Sequence, residues 1–248
     1  LSGRMLLGTD VAAMIATLEA MPVDVIGLNC STGPEHMRTA IQFLTTHSRK
    51  PISCIPNAGL PIEVDGRAVF PMEPEPFAQI LAEFVTEYGV SVVGGCCGTT
   101  PAHIARLREL VGYERAPKQR EVEYIPSLSS GIRAAALKQD LTLTMIGERV
   151  NTLGSRKVKR LLLQDDYDGV LEVAREQVDS GSHLLDVCVA MTERADERET
   201  LRTLVKKLAL NVEAPLVLDS TEPDVLKDAL EQYPGRAVVN SINMENGR

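Results

Sequence analysis

Three cysteines follow apolar, β-rich runs of the sequence. Cys30 comes shortly after the run Val23–Leu28, and the pair Cys96 and Cys97 comes shortly after Val90–Val93. If both runs are strands of one parallel sheet, their carboxyl ends meet at one edge and bring the three thiols together. Three thiolates without a fourth protein ligand suit a catalytic zinc ion, which keeps one coordination position open for a substrate. The pattern therefore indicates chemistry on a thiol.

Other interpretations of the cysteines stay open at this point. Lone cysteines are usually small buried hydrophobic residues, and Cys54 within Ile52–Ile55 fits that description. A disulfide framework is disfavoured, because the chain has five cysteines, an odd number, and shows no signal peptide. Glycines on both sides of the Cys96–Cys97 pair indicate a backbone that turns tightly or approaches a ligand closely. Spacing alone is compatible with a zinc site and with ordinary core or loop cysteines.

Composition narrows the class of protein. The 248 residues can form one large α/β barrel or two smaller domains, and 44% of them are hydrophobic, enough for a sizeable core. No apolar run is long enough to span a bilayer, so we predict a cytoplasmic protein that does not bind membranes. A net charge of -8 argues against nucleic acid as a partner, and the one basic cluster, Arg156–Arg160, is interpreted as a solvated helix face. Because the chain begins at Leu1, we expect it to be a piece of a longer protein.

Strand, turn and helix alternate in two blocks separated by a stretch of mixed composition. Strands interleaved with helices imply parallel βαβ units with sites at the carboxyl ends of the strands. Residues 113–140 interrupt this rhythm with Pro117, Pro126 and a run of small polar residues, and we predict a linker there. The predicted strands are Val23–Leu28, Ile52–Ile55 and Val90–Val93 in the first block, and Leu143–Gly147, His183–Val187, Pro215–Asp219 and Ala237–Ile242 in the second.

Polar residues stand at the ends of all four predicted strands of the second block. Glu148 and Asn151 follow the first strand and Asp186 lies in the second. Asp219 ends the third strand, and Asn240 lies in the fourth. Any one of these residues could simply cap the next helix, but four consecutive strands with this feature favour a shared site. Aspartate accepts two N–H bonds and asparagine both donates and accepts, which suits a flat heterocycle with urea-like or guanidine-like edges.

Two sets of motifs follow one another along the chain. The first set is Gly27–Cys30, Pro56–Pro61 and Gly94–Pro101, and the second is Gly147–Asn151, Leu218–Ser220 and Val239–Ile242. The first set alone would fit betaine–homocysteine methyltransferases, and the second alone would fit dihydropteroate synthases or corrinoid methyltransferases. Both sets in this order on one chain resemble the family of cobalamin-dependent methionine synthases. The first set resembles the later part of its homocysteine-binding barrel, and the second resembles the start of its methyltetrahydrofolate-binding barrel.

The resemblance implies a zinc ion held by Cys30, Cys96 and Cys97, with the sulfur of homocysteine as the fourth ligand. A free thiol has a pKa of about 8.5, and metal coordination deprotonates it at neutral pH. The methyl group that this sulfur attacks is implied to come from methylcobalamin, bound by a module outside this chain.

The resemblance also implies that Asp219 and Asn240 bind the pterin ring of 5-methyltetrahydrofolate, with Glu148, Asn151 and Asp186 lining the same pocket. Asn151, Asp219 and Asn240 are the candidate catalytic residues there. The methyl group on N5 of the folate leaves only when that nitrogen is protonated, so a polar network that supports protonation is expected. Some relatives carry Asn at the position of Cys188, which puts one hydrogen bond of this pocket in question.

The resulting expectation is an α/β chain with two (β/α)8 TIM-type barrels, each only partly represented. Residues 1–112 would form the end of the homocysteine and zinc barrel, 113–140 the interdomain linker, and 141–248 the start of the pterin barrel. Incomplete barrels expose sheet edges that closure would remove. The expected reaction is methyl transfer from 5-methyltetrahydrofolate to homocysteine through cobalamin, giving methionine and tetrahydrofolate. The alternative is a non-catalytic zinc-binding or interdomain scaffold.

Overall fold

A computed structural model describes residues 4–5, 7–112, 118–138 and 143–242 of the chain. The chain forms two compact units: the first comprises residue 4 and the described residues of 21–125, and the second comprises the described residues of 5–20 and of 126–242. Each unit is an α/β structure with a parallel sheet, which confirms the predicted class. Among the described residues, no helix has both the length and the apolar character that crossing a membrane requires.

The sheet of the first unit has three parallel strands. They are β1 (Ile26–Asn29), β2 (Ile52–Ile55) and β5 (Val92–Val93), and β2 lies in the middle. Cys54 of β2 pairs with Leu28 on one side and with Val93 on the other. The helices α2 (Pro34–His47), α3 (Pro74–Tyr88) and α4 (Pro101–Val111) alternate with these strands.

Local sequence signals account for the bounds of these helices. A proline occupies the first turn of each one, where its missing N–H costs no hydrogen bond. α3 ends at Gly89, whose φ of 75° places it in the left-handed region that favours glycine. The buried residues of α2 and α3 recur at helical spacing and form much of the core of this unit: Met37, Ile41, Leu44, Phe77, Leu81 and Phe84.

A hairpin absent from the sequence prediction lies between β2 and α3. Its strands are β3 (Ile62–Val64) and β4 (Arg67–Val69), which pair in antiparallel fashion, and all six strand residues are exposed. The two turn residues both have positive φ, as a two-residue hairpin turn requires. Directly after β4, Phe70 packs so closely on Gly98 that any side chain at that glycine would collide with it. The end of the hairpin therefore contacts the loop that carries the cysteine pair.

The second unit contains a parallel sheet of four strands, which lie side by side in the order in which they follow one another along the chain. Its core is formed by the buried faces of these strands and of the helices that connect them. The basic cluster Arg156–Arg160 belongs to a helix that buries Val158, as expected for a solvated helix with one packed side. The strands are β8 (Ile146–Asn151), β9 (Leu184–Cys188), β10 (Leu216–Asp219) and β11 (Val238–Asn240), and the helices are α5 (Arg156–Leu163), α6 (Tyr167–Asp179), α7 (Glu197–Asn211) and α8 (Pro223–Gln232).

The first strand of this sheet lies further along the chain than predicted. The apolar run suggested Leu143–Gly147, whereas β8 covers Ile146–Asn151. Glu148 and Asn151 therefore belong to the strand itself. A bulge between Gly147 and Val150 shifts the register against β9, which explains why the apolar pattern misplaced the bounds of this strand.

Structured segments occupy much of the region predicted as a linker, although residues 113–117 and 139–142 lie outside the described chain. In the first unit, the guanidinium group of Arg120 donates to the carbonyl groups of Thr45, Ser48 and Lys50 near the end of α2. In the second unit, β6 (Ser127–Ser129) and β7 (Ala134–Ala136) form an antiparallel hairpin. The domain boundaries remain a prediction.

The first helix of the chain packs in the second unit. α1 (Val11–Leu18) begins at Asp10, whose side chain accepts a hydrogen bond from the N–H of Ala13. The hydroxyl groups of Thr17 and Ser129 lie 2.8 Å apart, which links α1 to β6. Neither parallel sheet closes on itself among the described residues, so the two TIM-type barrels also remain a prediction.

Candidate functional site

The first candidate site is the cluster of Cys30, Cys96 and Cys97 at the carboxyl edge of the first sheet. The Sγ atom of Cys97 lies 3.8 Å from that of Cys30 and 3.8 Å from that of Cys96. All three Sγ atoms lie within 4.8 Å of one another. Three sulfurs bound at about 2.3 Å to one tetrahedral zinc ion lie about 3.8 Å apart. The observed spacing therefore fits a zinc ion, whereas Cys54 is buried within β2, away from this cluster.

The end of β2 positions the cysteine loops. The N–H of Cys30 donates to the carbonyl of Ile55 at 2.9 Å, and the N–H of Cys96 donates to that of Pro56 at 2.7 Å. Cys30 has a φ of 63°, in the left-handed region that non-glycine residues rarely adopt. Such strain persists only where the surroundings hold it, and it is typical of functional sites.

Asn57 connects the two cysteine loops and was not predicted as a site residue. Its N–H donates to the carbonyl of Thr32 at 2.9 Å, in the loop of Cys30. Its Oδ1 accepts from the N–H of Cys97 at 3.1 Å. The only sequence signal is its position in the motif Pro56–Pro61, because both partners are distant along the chain.

The contacts within the thiol cluster shift the pKa values of Cys30 and Cys97 in opposite directions. A hydrogen bond from the backbone of Ser31, supported by the thiols of Cys96 and Cys97, lowers the pKa of Cys30. Hydrogen bonding to Cys30 and Cys96 raises the pKa of Cys97 to about 11. A thiolate at Cys30 thus opposes ionisation of Cys97. A soft divalent cation relieves this opposition, since it binds several thiolates at once.

The second candidate site is a row of side chains across the sheet of the second unit. Asn151 pairs with Cys188, and Asp219 pairs with Asn240. The pairing of β9 with β10 then places Cys188 beside Asp219. Residues in register on parallel strands face the same side, so these four residues form one row at the carboxyl edge. Asp186 precedes Cys188 by two positions and shares its face.

Hydrogen bonds join three of the predicted residues directly. The Nδ2 of Asn151 donates to Asp186 Oδ2 at 2.7 Å and lies 3.3 Å from Asp219 Oδ2. Its Oδ1 accepts from the N–H of Leu153 at 2.9 Å, which fixes the orientation of the amide. Asn151 and Asp186 are buried, whereas Glu148 and Asn240 are exposed.

Burial governs the protonation of the carboxyl groups in this row. It raises the pKa of Asp186, an effect that the bond from Asn151 partly offsets and that the charges of Asp219 and Glu148 reinforce. Burial also raises the pKa of Asp219, which accepts hydrogen bonds from Cys188 and Asn151. The pKa of Cys188 rises to about 11, so its thiol stays a donor at neutral pH. The row therefore offers carboxyl groups that readily accept N–H groups or a proton.

Two polar residues that support this row were missed in the sequence. Glu197, at the start of α7, accepts a 2.6 Å hydrogen bond from the hydroxyl of Ser220, directly after Asp219. Gln177 accepts a 2.7 Å hydrogen bond from the N–H of Arg149 at the bulge of β8. A polar residue on the buried face of α6 was the available signal for Gln177.

Comparison with known families and proteins gives matches for both units. Residues 1–111 match the homocysteine S-methyltransferase family, and residues 147–248 match the pterin binding enzymes. The chain is 42% identical over 246 residues to the methionine synthase of Mycobacterium tuberculosis, a match that covers 99% of the chain and 20% of that protein. It is also 42% identical over 250 residues to the methionine synthase of Mycobacterium leprae, covering 99% of the chain and 21% of that protein. The chain thus spans about a fifth of the length of these curated relatives.

Proposed function

The chain belongs to the methionine synthase family, and on this premise we propose that it carries residues of both the homocysteine site and the folate site of a methyltransferase that forms methionine. The observation that carries the proposal is the presence on one chain of the thiol cluster and of the Asn151–Asp219 row. The first suits activation of a thiol, and the second suits recognition of a pterin.

In the thiol cluster, Cys30, Cys96 and Cys97 would hold zinc and leave one coordination position for the sulfur of homocysteine. Zinc bound there supplies Lewis acidity, which keeps a coordinated thiol deprotonated at neutral pH. Cys97 is exposed, so the cluster opens to an approaching substrate. The backbone bonds from the cysteine loops to the end of β2 hold the three sulfurs in place before the substrate arrives.

In the row of the second unit, Asp219 and Asn240 would bind the pterin ring of 5-methyltetrahydrofolate. Asp219 accepts from ring N–H groups, and Asn240 can donate and accept on the neighbouring strand. Asn151 orients Asp186 and Asp219 through its amide group. Burial raises the pKa values of both aspartates and so makes their carboxylates better proton acceptors beside the ligand, which supports the protonation of N5 that loss of the methyl group requires.

In this proposal one site binds the methyl donor and the other binds the methyl acceptor. We assign the methylcobalamin carrier to another module of the longer protein, because the relatives are several times longer than this chain. In this proposal the present chain binds the methyl donor and the acceptor. A zinc-binding or interdomain scaffold without catalysis is the competing hypothesis, and it predicts no effect of these residues on turnover.

The proposal is tested first at the thiol cluster of the full-length protein. Cys97→Ser should lower bound zinc and abolish homocysteine methylation, because serine is a poor ligand for zinc compared with a thiolate. The matched control is Cys54→Ala, which changes a buried cysteine of the same unit and should retain zinc. Metal analysis and assay of both half-reactions measure the result. Equal zinc in the Cys97→Ser and wild-type proteins would contradict the metal assignment, and normal turnover without zinc would favour the scaffold hypothesis.

A further inference from the structure

We propose that His103 is a positioning residue of the thiol cluster, which holds the Cys96–Cys97 turn against the loop after β2. The inference rests on the proposed zinc site. His103 lies in the first turn of α4 and is 5% exposed. It does not contact the three sulfurs, so its effect would pass through the backbone of the loops.

A closed chain of hydrogen bonds runs from the cysteine pair to His103 and back. The carbonyl of Cys97 accepts from the N–H of Ala58 at 2.9 Å, and the carbonyl of Ala58 accepts from the N–H of Met72 at 3.1 Å. The carbonyl of Met72 lies 2.8 Å from His103 Nε2. The Nδ1 of His103 accepts from the N–H of Thr100 at 3.1 Å, three residues after Cys97.

The chemistry of these partners assigns the tautomer of His103. A backbone N–H can only donate and a carbonyl can only accept. Nδ1 therefore carries no proton, and Nε2 carries the proton that it donates to Met72. The imidazole ring of His103 also packs against the ring of Phe77 in an edge-to-face arrangement, with 5.3 Å between the ring centroids. Both ring nitrogens are thus engaged by backbone groups of two different loops.

This arrangement matters for a metal because it adds a constraint on the cysteine turn, beside the bonds from Cys96 to Pro56 and from Cys97 to Asn57. Gly98 has a φ of 77° and packs against Phe70, so the turn depends on the position of the segment that leads to Met72. Loss of the His103–Met72 bond would remove one anchor of this segment and loosen the loop that carries Ala58 and contacts Cys97. Residues that orient metal ligands typically contribute about 10–100-fold in metal affinity.

Two amide substitutions test the bond of His103 to Met72 and its bond to Thr100 separately. The side chain of His103→Gln reaches the position of Nε2 and can still donate to Met72. The shorter side chain of His103→Asn reaches the position of Nδ1 and can accept only from Thr100. His103→Leu removes both bonds. A role limited to capping α4 would make Asn the better replacement, whereas the proposed role makes Gln the better one.

The experiment measures zinc affinity of the full-length protein by competition with a chromophoric chelator. We expect His103→Leu and His103→Asn to lose about tenfold or more in affinity, and His103→Gln to stay within about threefold of wild type. His47→Gln, in the same unit, is the matched control and should bind zinc normally. Thermal unfolding of each variant is recorded in parallel. If His103→Leu does not fold, the Asn and Gln variants still decide the ranking.

A second readout is the thiolate-to-cobalt charge-transfer absorption of the cobalt(II)-loaded protein. It should shift in His103→Asn and resemble wild type in His103→Gln, because it reports the geometry of the sulfur ligands directly. The inference would be overturned if His103→Asn bound zinc as tightly as the wild type. It would also be overturned if His103→Gln lost as much zinc affinity as His103→Asn. Cys97→Ser is measured alongside. If that variant also binds zinc normally, the proposed metal site itself is wrong, which distinguishes the two failures.

Discussion

At the scale of single residues, Asp186 and Asp219 of the second unit pair a proposed role in ligand binding with a cost in stability. Asp186 and Asp219 lie close to the carboxylate of Glu148, and both have raised pKa values through burial. Natural proteins often retain such unfavourable groups where function requires them. This combination leads to two predictions, one for ligand binding and one for stability.

Asp219→Ala should weaken binding of methyltetrahydrofolate, because the pterin loses a charged acceptor. A hydrogen bond to a charged group is worth about 1.5–3 kcal/mol, so the dissociation constant should rise by about one to two orders of magnitude. Asn240→Ala should have a smaller effect of the same sign, because Asn240 is exposed. Isothermal titration calorimetry with the full-length protein measures both. Asp179→Ala, at an exposed position in α6, is the control; unchanged affinity in both site variants would refute the assignment of the pterin pocket.

Asp186→Asn should raise the free energy of unfolding at pH 7. Burial raises the folded-state pKa of Asp186 above its unfolded value. The folded state therefore holds more protons between these two values, and stability falls as the pH rises from the unfolded to the folded pKa. Asparagine does not ionise and so avoids this loss of stability. The gain in the free energy of unfolding should therefore be largest at neutral pH and should shrink as the pH approaches about 4. Urea denaturation of both proteins across this range measures it. A gain that does not change with pH would show that ionisation is not its cause.

At the scale of single elements, the bulge in β8 is the feature that most affects the second site. The register against β9 shifts between Gly147 and Val150, so the N–H of Arg149 has its partner in the side chain of Gln177. A side chain at Gly147 would lie 2.7 Å from the Oε1 of Gln177, which explains the glycine. The bulge sits between Gly147 and Asn151, so it also determines where Asn151 lies.

Gln177→Leu should destabilise the protein by about 0.5–1.5 kcal/mol, because the N–H of Arg149 loses its acceptor in a part-buried hydrogen bond. Leucine is close to glutamine in size, so the loss reports the hydrogen bond more than the packing. Chemical denaturation gives the free energy of unfolding, and hydrogen exchange of the Arg149 amide should accelerate. The control is Gln164→Leu, at an exposed helix end. If the Arg149 amide exchanged as slowly as in wild type, the proposed partnership would be wrong.

At the scale of the whole molecule, the thiol cluster and the Asn151–Asp219 row lie in different compact units. A ligand that binds only the folded form of one unit stabilises that unit by mass action. Binding at each site should therefore slow hydrogen exchange in the unit that contains the site.

Removal of metal should loosen the first unit selectively. Chelation should increase hydrogen exchange in α2, α4 and the loop around Asn57, because these segments hold the cysteine loops. Exchange in β8 to β11 should stay nearly constant. Mass spectrometry of proteolytic peptides, before and after chelation, measures both regions. The Cys97→Ser variant should show no response to the chelator. A response confined to the second unit would place the metal elsewhere.

The sequence by itself determined the α/β class, most strands and helices, and the residues at the centre of each candidate site. These are Cys30, Cys96 and Cys97 in the first site, and Asn151, Asp186 and Asp219 in the second. These features depend on local signals: apolar runs, proline at helix starts, Gly89 at a helix end, and chemically distinctive residues near strand ends. The carboxyl ends of parallel strands share one edge, so strand prediction was sufficient to bring Cys30 near Cys96 and Asn151 near Asp219.

The tertiary structure alone decided the features that depend on contacts between distant segments. Asn57 and His103 bond to backbone groups far along the chain, Asn57 to that of Cys97 and His103 to that of Met72. Gln177 serves a bulge that alternation of apolar residues cannot show. α1 packs against the β6–β7 hairpin, although it precedes the first unit in sequence. The periodicity of apolar residues indicates which face of a helix or strand is buried. It contains no information on the partner that covers that face or on the contacts between loops, because both depend on how the elements pack.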